Sequence, residues 1–179
     1  MPLSFEQFRK NFGVYPVPHI LQELLNFQNM GTEWYSDSFE LASISKEGLK
    51  TYFGDDEEMV SQFIEFGHDG NGSTYALWLY KNGSLDDAPI VYFHSEGMGD
   101  TVVADNLAAF LTLLAWDEEL TLGSYSGTIE NIVHTKRNQE FRMWIDEHYH
   151  LQVPSDPDII IREAQKKHPN LEEWINQKR

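Results

Sequence analysis

The chain has 179 residues, enough for one domain with a full core and too few for a second of similar size. It contains no cysteine, which excludes disulfide scaffolds, thiolate metal sites and thiol nucleophiles and fits a reducing compartment. The net charge is −16, and residues 11–135 hold 20 acidic against 3 basic residues while 136–179 hold 8 of each, so the body repels phosphate backbones and nucleic-acid binding is not expected.

In chain order, Phe5, Phe8 and Phe12 share one face at spacings of three and four, which predicts a short helix over 4–12. Pro18 suits a first helical position. Ile20, Leu21, Leu24, Leu25 and Phe27 then give a buried face that ends near Asn29-Met30-Gly31. A strand is predicted over 39–44 and a short helix over 46–53, with Ser45 as its N-cap. The run Asp55-Asp56-Glu57-Glu58 reads as an acidic loop or as the first turn of a helix, because carboxylates suit either place.

Three strands are predicted near 62–67, 74–81 and 89–94. In the middle one Tyr75, Leu77 and Leu79 alternate with Ala76, Trp78 and Tyr80, so both faces are apolar and the strand belongs at the centre of a sheet covered on both sides. Asp105 is the expected N-cap of a helix carrying Leu107, Phe110, Leu111 and Leu114. Asp117-Glu118-Glu119 closes this body, taken as residues 1–120. Residues 120–132, with Gly123 and Gly127, read as a linker into a helical tail, 121–179. The tail shows three apolar groups: Phe141, Trp144, Ile145 and His148; then Ile160, Ile161 and Ala164; then Leu171, Trp174 and Ile175. They are too few for a separate core, so the tail is expected to dock on the body.

Motifs for catalysis or metal binding fail one by one. A calcium loop starting at Asp69-Gly-Asn71-Gly-Ser73 would need Gly and Glu where Thr74 and Tyr80 stand, and a hairpin turn accounts for these glycines. Gly123-Ser-Tyr125-Ser-Gly127 has tyrosine where a nucleophile elbow needs serine. Ser43-Ile-Ser-Lys46 lacks the companion elements of its enzyme class. His94-Ser-Glu96 lacks the cysteines of a zinc deaminase. Glu147, His148 and His150 have no further ligand at a telling spacing, and no phosphate-binding or dinucleotide loop is present. The expectation is a non-catalytic protein without cofactor or metal. Residues 1–10 carry no secretory leader and no apolar run reaches membrane-spanning length, so a soluble, cytoplasmic protein is expected.

The series Phe63-x-x-Phe66, Asp69-Gly-x-Gly72, Tyr75-x-Leu77, Ala88-Pro-Ile-Val-Tyr92 and Val103-Ala-Asp105-Asn-Leu-x-x-Phe110-Leu111 resembles the SUKH superfamily, which includes the Smi/Knr cell-wall regulators. Val17-Pro18, Leu21, Leu24-Leu25, Asn29-Met-Gly31 and Phe39-Glu40-Leu41 extend the resemblance over about residues 15–115, although Met30 stands where the family has Gly and the tail lies outside the pattern.

The resemblance implies an α+β fold, a single domain whose twisted, mostly antiparallel sheet is flanked by helices, here with a C-terminal helical extension. It also implies direct protein binding without catalysis: bacterial members resemble immunity proteins that neutralise polymorphic toxins, often nucleases, and fungal members resemble regulatory scaffolds. The expected binding surface is acidic and made of Asp55, Asp56, Glu57, Glu58, Asp69, Asp86, Asp87, Glu96 and Asp100. The expected partner is a basic toxin domain, met by a monomer or homodimer. A scaffold without a toxin partner, docking through Trp144 and Trp174, is the second expectation, and a carboxylate hydrolase the third. Solubility alone would also account for the acidic charge.

Overall fold

The central strand shows why this chain builds its sheet. Tyr75 and Leu77 face one apolar cluster while Ala76 and Trp78 face another, and all four are buried. A strand apolar on both faces needs a helical layer on each side. The computed structural model describes residues 2–36, 39–97, 99–117 and 134–178. The predicted linker and the segment Gly123–Gly127 lie outside the described residues.

The fold is α+β. Five strands, β1 (Glu40–Leu41), β2 (Phe63–His68), β3 (Thr74–Trp78), β4 (Ile90–Phe93) and β5 (Thr101–Ala104), form an antiparallel meander in the order β1-β2-β3-β4-β5. The helices are α1 (Phe5–Arg9), α2 (His19–Asn29), α3 (Glu47–Phe53), α4 (Glu57–Ser61), α5 (Leu107–Leu114), α6 (Lys136–Tyr149), α7 (Asp158–Lys167) and α8 (Leu171–Lys178).

On one face of the sheet, α1, α2, α5 and α6 pack on Ile64, Phe66, Tyr75, Leu77, Ile90 and Tyr92. On the other, α3, α4 and α8 pack on Phe63, Ala76, Trp78, Val91 and Phe93. Helix α7 lies along the open edge of β5, where Gln165 donates to Thr101 Oγ1 at 2.9 Å. The tail therefore contributes to both layers: Phe141 and Ile145 enter the first, Leu171 and Ile175 the second. Arg137 ties α6 to the C-terminal end of α2 by donating to the Phe27 carbonyl and lying 4.0 Å over the Phe27 ring. A cation is favoured at that pole of a helix.

Local chemistry moves several predicted boundaries. Ser4 and Gln7 form a reciprocal capping box for α1, which tightens into a 3-10 turn over Lys10–Phe12. Pro18 is the N-cap residue of α2, not its first helical residue. Strand β1 is only two residues long. The residue at the N-cap of α3 is Lys46, with no side-chain cap, not Ser45. Helix α5 is capped by Asn106, whose side chain accepts from the Ala109 amide, and not by Asp105. Strand β5 was not anticipated. On α6 the packed face is Phe141, Trp144 and Ile145, while His148 is exposed.

One carboxylate is spent inside the fold. Glu65 is 8% exposed and accepts from Thr74 Oγ1 at 2.8 Å. Burial raises its carboxyl above the usual range, against the opposing hydrogen bond of Thr74 and charge of Lys46. The folded state thus prefers the protonated form, and ionisation costs stability above the folded pKa. Glu65→Gln is expected to stabilise the protein at pH 7 by roughly 1 kcal/mol, or about 2–4 °C in Tm. The gain should shrink as the pH is lowered toward the usual carboxylate range, which thermal melts at both ends of that interval would show.

Candidate functional site

The meander fixes where each expected acidic residue lies. The β2–β3 and β4–β5 turns share one end of the sheet; the β3–β4 loop and the entry to β2 share the other. At the first end the turns consume their own carboxylates. Asp69 is 4% exposed: Oδ1 accepts from the amides of Asn71 and Ser73, both at 2.9 Å, and Oδ2 from the Tyr92 hydroxyl at 2.7 Å. Asp100 is 6% exposed and accepts from Tyr52 Oη at 2.6 Å and the His94 amide at 2.8 Å. Both are corrected from surface carboxylates to internal acceptors, because the turn amides and two tyrosine hydroxyls need partners out of water. Glu96 remains exposed at that end.

At the second end the carboxylates face solvent. Asp55, Asp56, Glu57 and Glu58 are exposed. The run is the first turn of α4, with Asp56 as N-cap accepting from the Met59 amide at 3.1 Å. Glu58 lines a small cleft with Gln62 and Tyr80, at the start of β2 and just past the end of β3. Asp86 and Asp87 are exposed in the 3-10 turn Leu85–Asp87 that joins β3 to β4. Of the nine expected residues, Glu58, Asp86 and Asp87 thus belong to one end of the sheet, and Asp55, Asp56 and Glu57 open the short helix that leads into it.

Ion pairing separates them further. In the tail, Glu140 meets Lys136 and Arg137, Asp156 and Asp158 meet Arg162, and Glu163 meets Lys166. Lys167 reaches Asp105 at 2.6 Å. Among the described residues, Asp55, Asp56, Glu57, Glu58, Asp86 and Asp87 form no ion pair. Most of the tail's described cations are matched by carboxylates; Lys178, which lines the cleft with Glu58, and the exposed Lys81 after β3 are the cations nearest this end, and they offset only part of its negative charge.

Sequence reasoning missed a polar cluster at the junction of tail and body. His168 Nε2 lies 2.7 Å from Asp105 Oδ1, and its Nδ1 lies 3.0 Å from the Tyr80 hydroxyl. Burial holds the imidazole below its usual range, opposed by the bond to Asp105 and reinforced by Lys81 and Lys167. Burial alone would raise the Asp105 carboxyl; the bonds from Lys167 and His168 outweigh it and leave the group below the usual range. A neutral ring fits this arrangement, with Nε2–H donating to the carboxylate and the phenol donating to Nδ1.

Carboxylate, imidazole and hydroxyl in series have the order of a catalytic relay. The cleft of about 90 Å³ that Tyr80 lines has neither His168 nor Asp105 among its walls. The cluster is a tether that pins the end of α7 to the body. A histidine favoured neutral by folding contributes stability above the unfolded pKa, about 6.5, that is lost as pH falls below it. Thermal midpoints measured from pH 7 to pH 5 should therefore drop more steeply for the native chain than for His168→Gln.

The other expected motifs resolve into structure. Ser43 donates to the Gln7 carbonyl at 3.2 Å. His94 Nδ1 accepts from the Glu96 amide at 3.1 Å within its turn. His148 Nδ1 is 3.0 Å from the Trp144 carbonyl. Trp144 packs on Phe27 and Phe141, and Trp174 on Phe63 and Trp78, so both tail tryptophans serve the core. Among the described residues no three His, Asp or Glu side chains converge as metal ligands, and no helix is long and apolar enough to cross a membrane. The chain matches no family model, and no curated protein or solved structure is significantly similar to it.

Proposed function

We propose that this chain is a cytoplasmic, non-catalytic binding protein of the SUKH-like kind, an immunity protein that neutralises a basic toxin domain, such as a nuclease, by direct contact. The observation that carries this reading is the set of exposed carboxylates Asp55–Glu58, Asp86 and Asp87, none of which forms an ion pair among the described residues. A nuclease cleft is lined with cations that hold phosphate, and an acidic end competes for the same charges. It also speeds encounter, since complementary fields raise association rates. The same field keeps nucleic acid away from the protein itself.

Both sheet edges are closed, which supports action as a monomer. Helix α7 covers β5. On β1, Gln28 accepts from the Leu41 amide at 2.8 Å and donates to its carbonyl at 3.0 Å. Asn11 donates to the Ala42 carbonyl at 2.7 Å and accepts from the Ile44 amide at 2.9 Å. The Gln28 amide thus stands where a neighbouring strand would pair. The test is co-expression with the toxin encoded beside this gene. Growth should be rescued, and continued killing at full expression of the folded protein would end the immunity reading.

A further inference from the structure

A cavity of about 700 Å³ lies outside the acidic end. It is a groove between the start of the chain, the C-terminal end of α2, the loop after it and β1. Leu3, Gln28, Trp34 and Tyr35 are among its walls, with Glu33 and Glu40 as the charged lining residues among those described. Trp34 is 44% exposed although every other tryptophan described is buried or packed on a core cluster. Such a ring, left open on the wall of a groove, offers an apolar face to a partner.

Two observations narrow the occupant. An added strand is excluded, because Gln28 already engages both outward backbone groups of Leu41. The occupant must therefore enter by its side chains. Among the described residues no cation lines the groove: Arg137, behind Gly31, gives its terminal nitrogens to Glu140 and the Phe27 carbonyl, and its Nε is buried. Glu33 is exposed and unpaired among the described residues, and Glu40 has only His68, at 3.5 Å. An aromatic face flanked by two carboxylates, over a partly apolar floor, suits one class of group: a cation on an aliphatic stem.

We infer that this groove is a second contact on the partner, receiving an arginine or lysine side chain whose stem lies along Trp34 and whose head meets Glu33 and Glu40. The inference rests on the reading of the chain as a binder of basic proteins, and it adds an anchor apart from the carboxylates that steer. Exposed charge sets the encounter rate, whereas a pocketed aromatic contact slows dissociation.

The test is a titration with the peptide acetyl-Gly-Arg-Gly-amide, followed by proton–nitrogen correlation spectra of the full chain, with acetyl-Gly-Glu-Gly-amide as control. The Trp34 indole and Gly31 amide should shift saturably with the arginine peptide alone. Trp34→Ala, and separately Glu33→Gln with Glu40→Gln, should weaken that binding about tenfold. Trp34 lies outside both cores, and the paired Gln variant preserves shape, so folding is retained in at least one arm. Shifts spread evenly over Glu57, Asp86 and Asp87, or unchanged in both variants, would overturn the groove assignment. Rescue from the toxin with undiminished protection by Trp34→Ala would also overturn it while sparing the proposed function. Saturable peptide binding without rescue would leave the groove standing and remove the immunity reading.

Discussion

Replacing Gly67 with alanine is expected to destabilise the protein by about 3 kcal/mol, lowering Tm by roughly 6–12 °C. A Cβ at this position would stand 2.2 and 2.4 Å from the Phe39 ring and 2.6 Å from the Glu40 carbonyl oxygen. Neither neighbour can retreat. Phe39 is fully buried, its ring 5.7, 5.2 and 5.1 Å from those of Phe66, Tyr75 and Phe110. Glu40 belongs to β1, paired through Leu41 with Gly67 itself. Gly67 also closes an irregularity in β2, where the register with β3 shifts between Glu65 and Gly67. The β1 edge should therefore detach before the rest of the sheet. Gly70→Ala is the control, since nothing lies within 4 Å of its Cβ position. Its effect should stay within about 0.5 kcal/mol. Equal melts for the two variants would show that the close approach at Gly67 carries no cost.

Alternation made β3 legible. Six consecutive residues, Tyr75 to Tyr80, divide between the two clusters as their spacing requires, and from that strand follow a covered sheet and two helical layers. The apolar face of α2 was legible for the same reason. Strand β5 was not, because four residues behind Gly97 and Gly99 give too short a period to count. Charge direction was less legible still. A run of carboxylates announces its sign but not whether backbone amides will claim it. Asp69 and Asp100 were claimed by turn amides, while Asp86, which among the described residues accepts only from the Ser84 hydroxyl at 3.2 Å, and Asp87 stay exposed. The tether of His168 joins residues 63 and 88 positions away, and no local pattern encodes such a meeting. The groove beside Trp34 arises the same way, from the packing of three separate segments against β1.

Reversing Glu57, Glu58, Asp86 and Asp87 to lysine should slow association with the partner toxin by about 10–100-fold at low salt, with a much smaller change in dissociation. These four are chosen for what they do not do. Asp56 is left alone because it caps α4, and its loss would cost about 1 kcal/mol of stability unrelated to binding. Asp55 is left alone because its φ of 63° already lies in a region most side chains avoid. Asp69 and Asp100 hold turns, so their asparagine variants should lower Tm and leave the association rate near that of the native chain. The ionic mechanism adds a second signature. Screening length falls from about 10 Å at 0.1 M salt to about 3 Å at 1 M, so the native and reversed proteins should converge in rate as salt rises. Stopped-flow association over that range reads both effects. A reversed protein that associates as fast as the native chain at low salt would place the steering surface elsewhere. A rate lost equally at every salt concentration would mean that the lysines had damaged a contact and not a field.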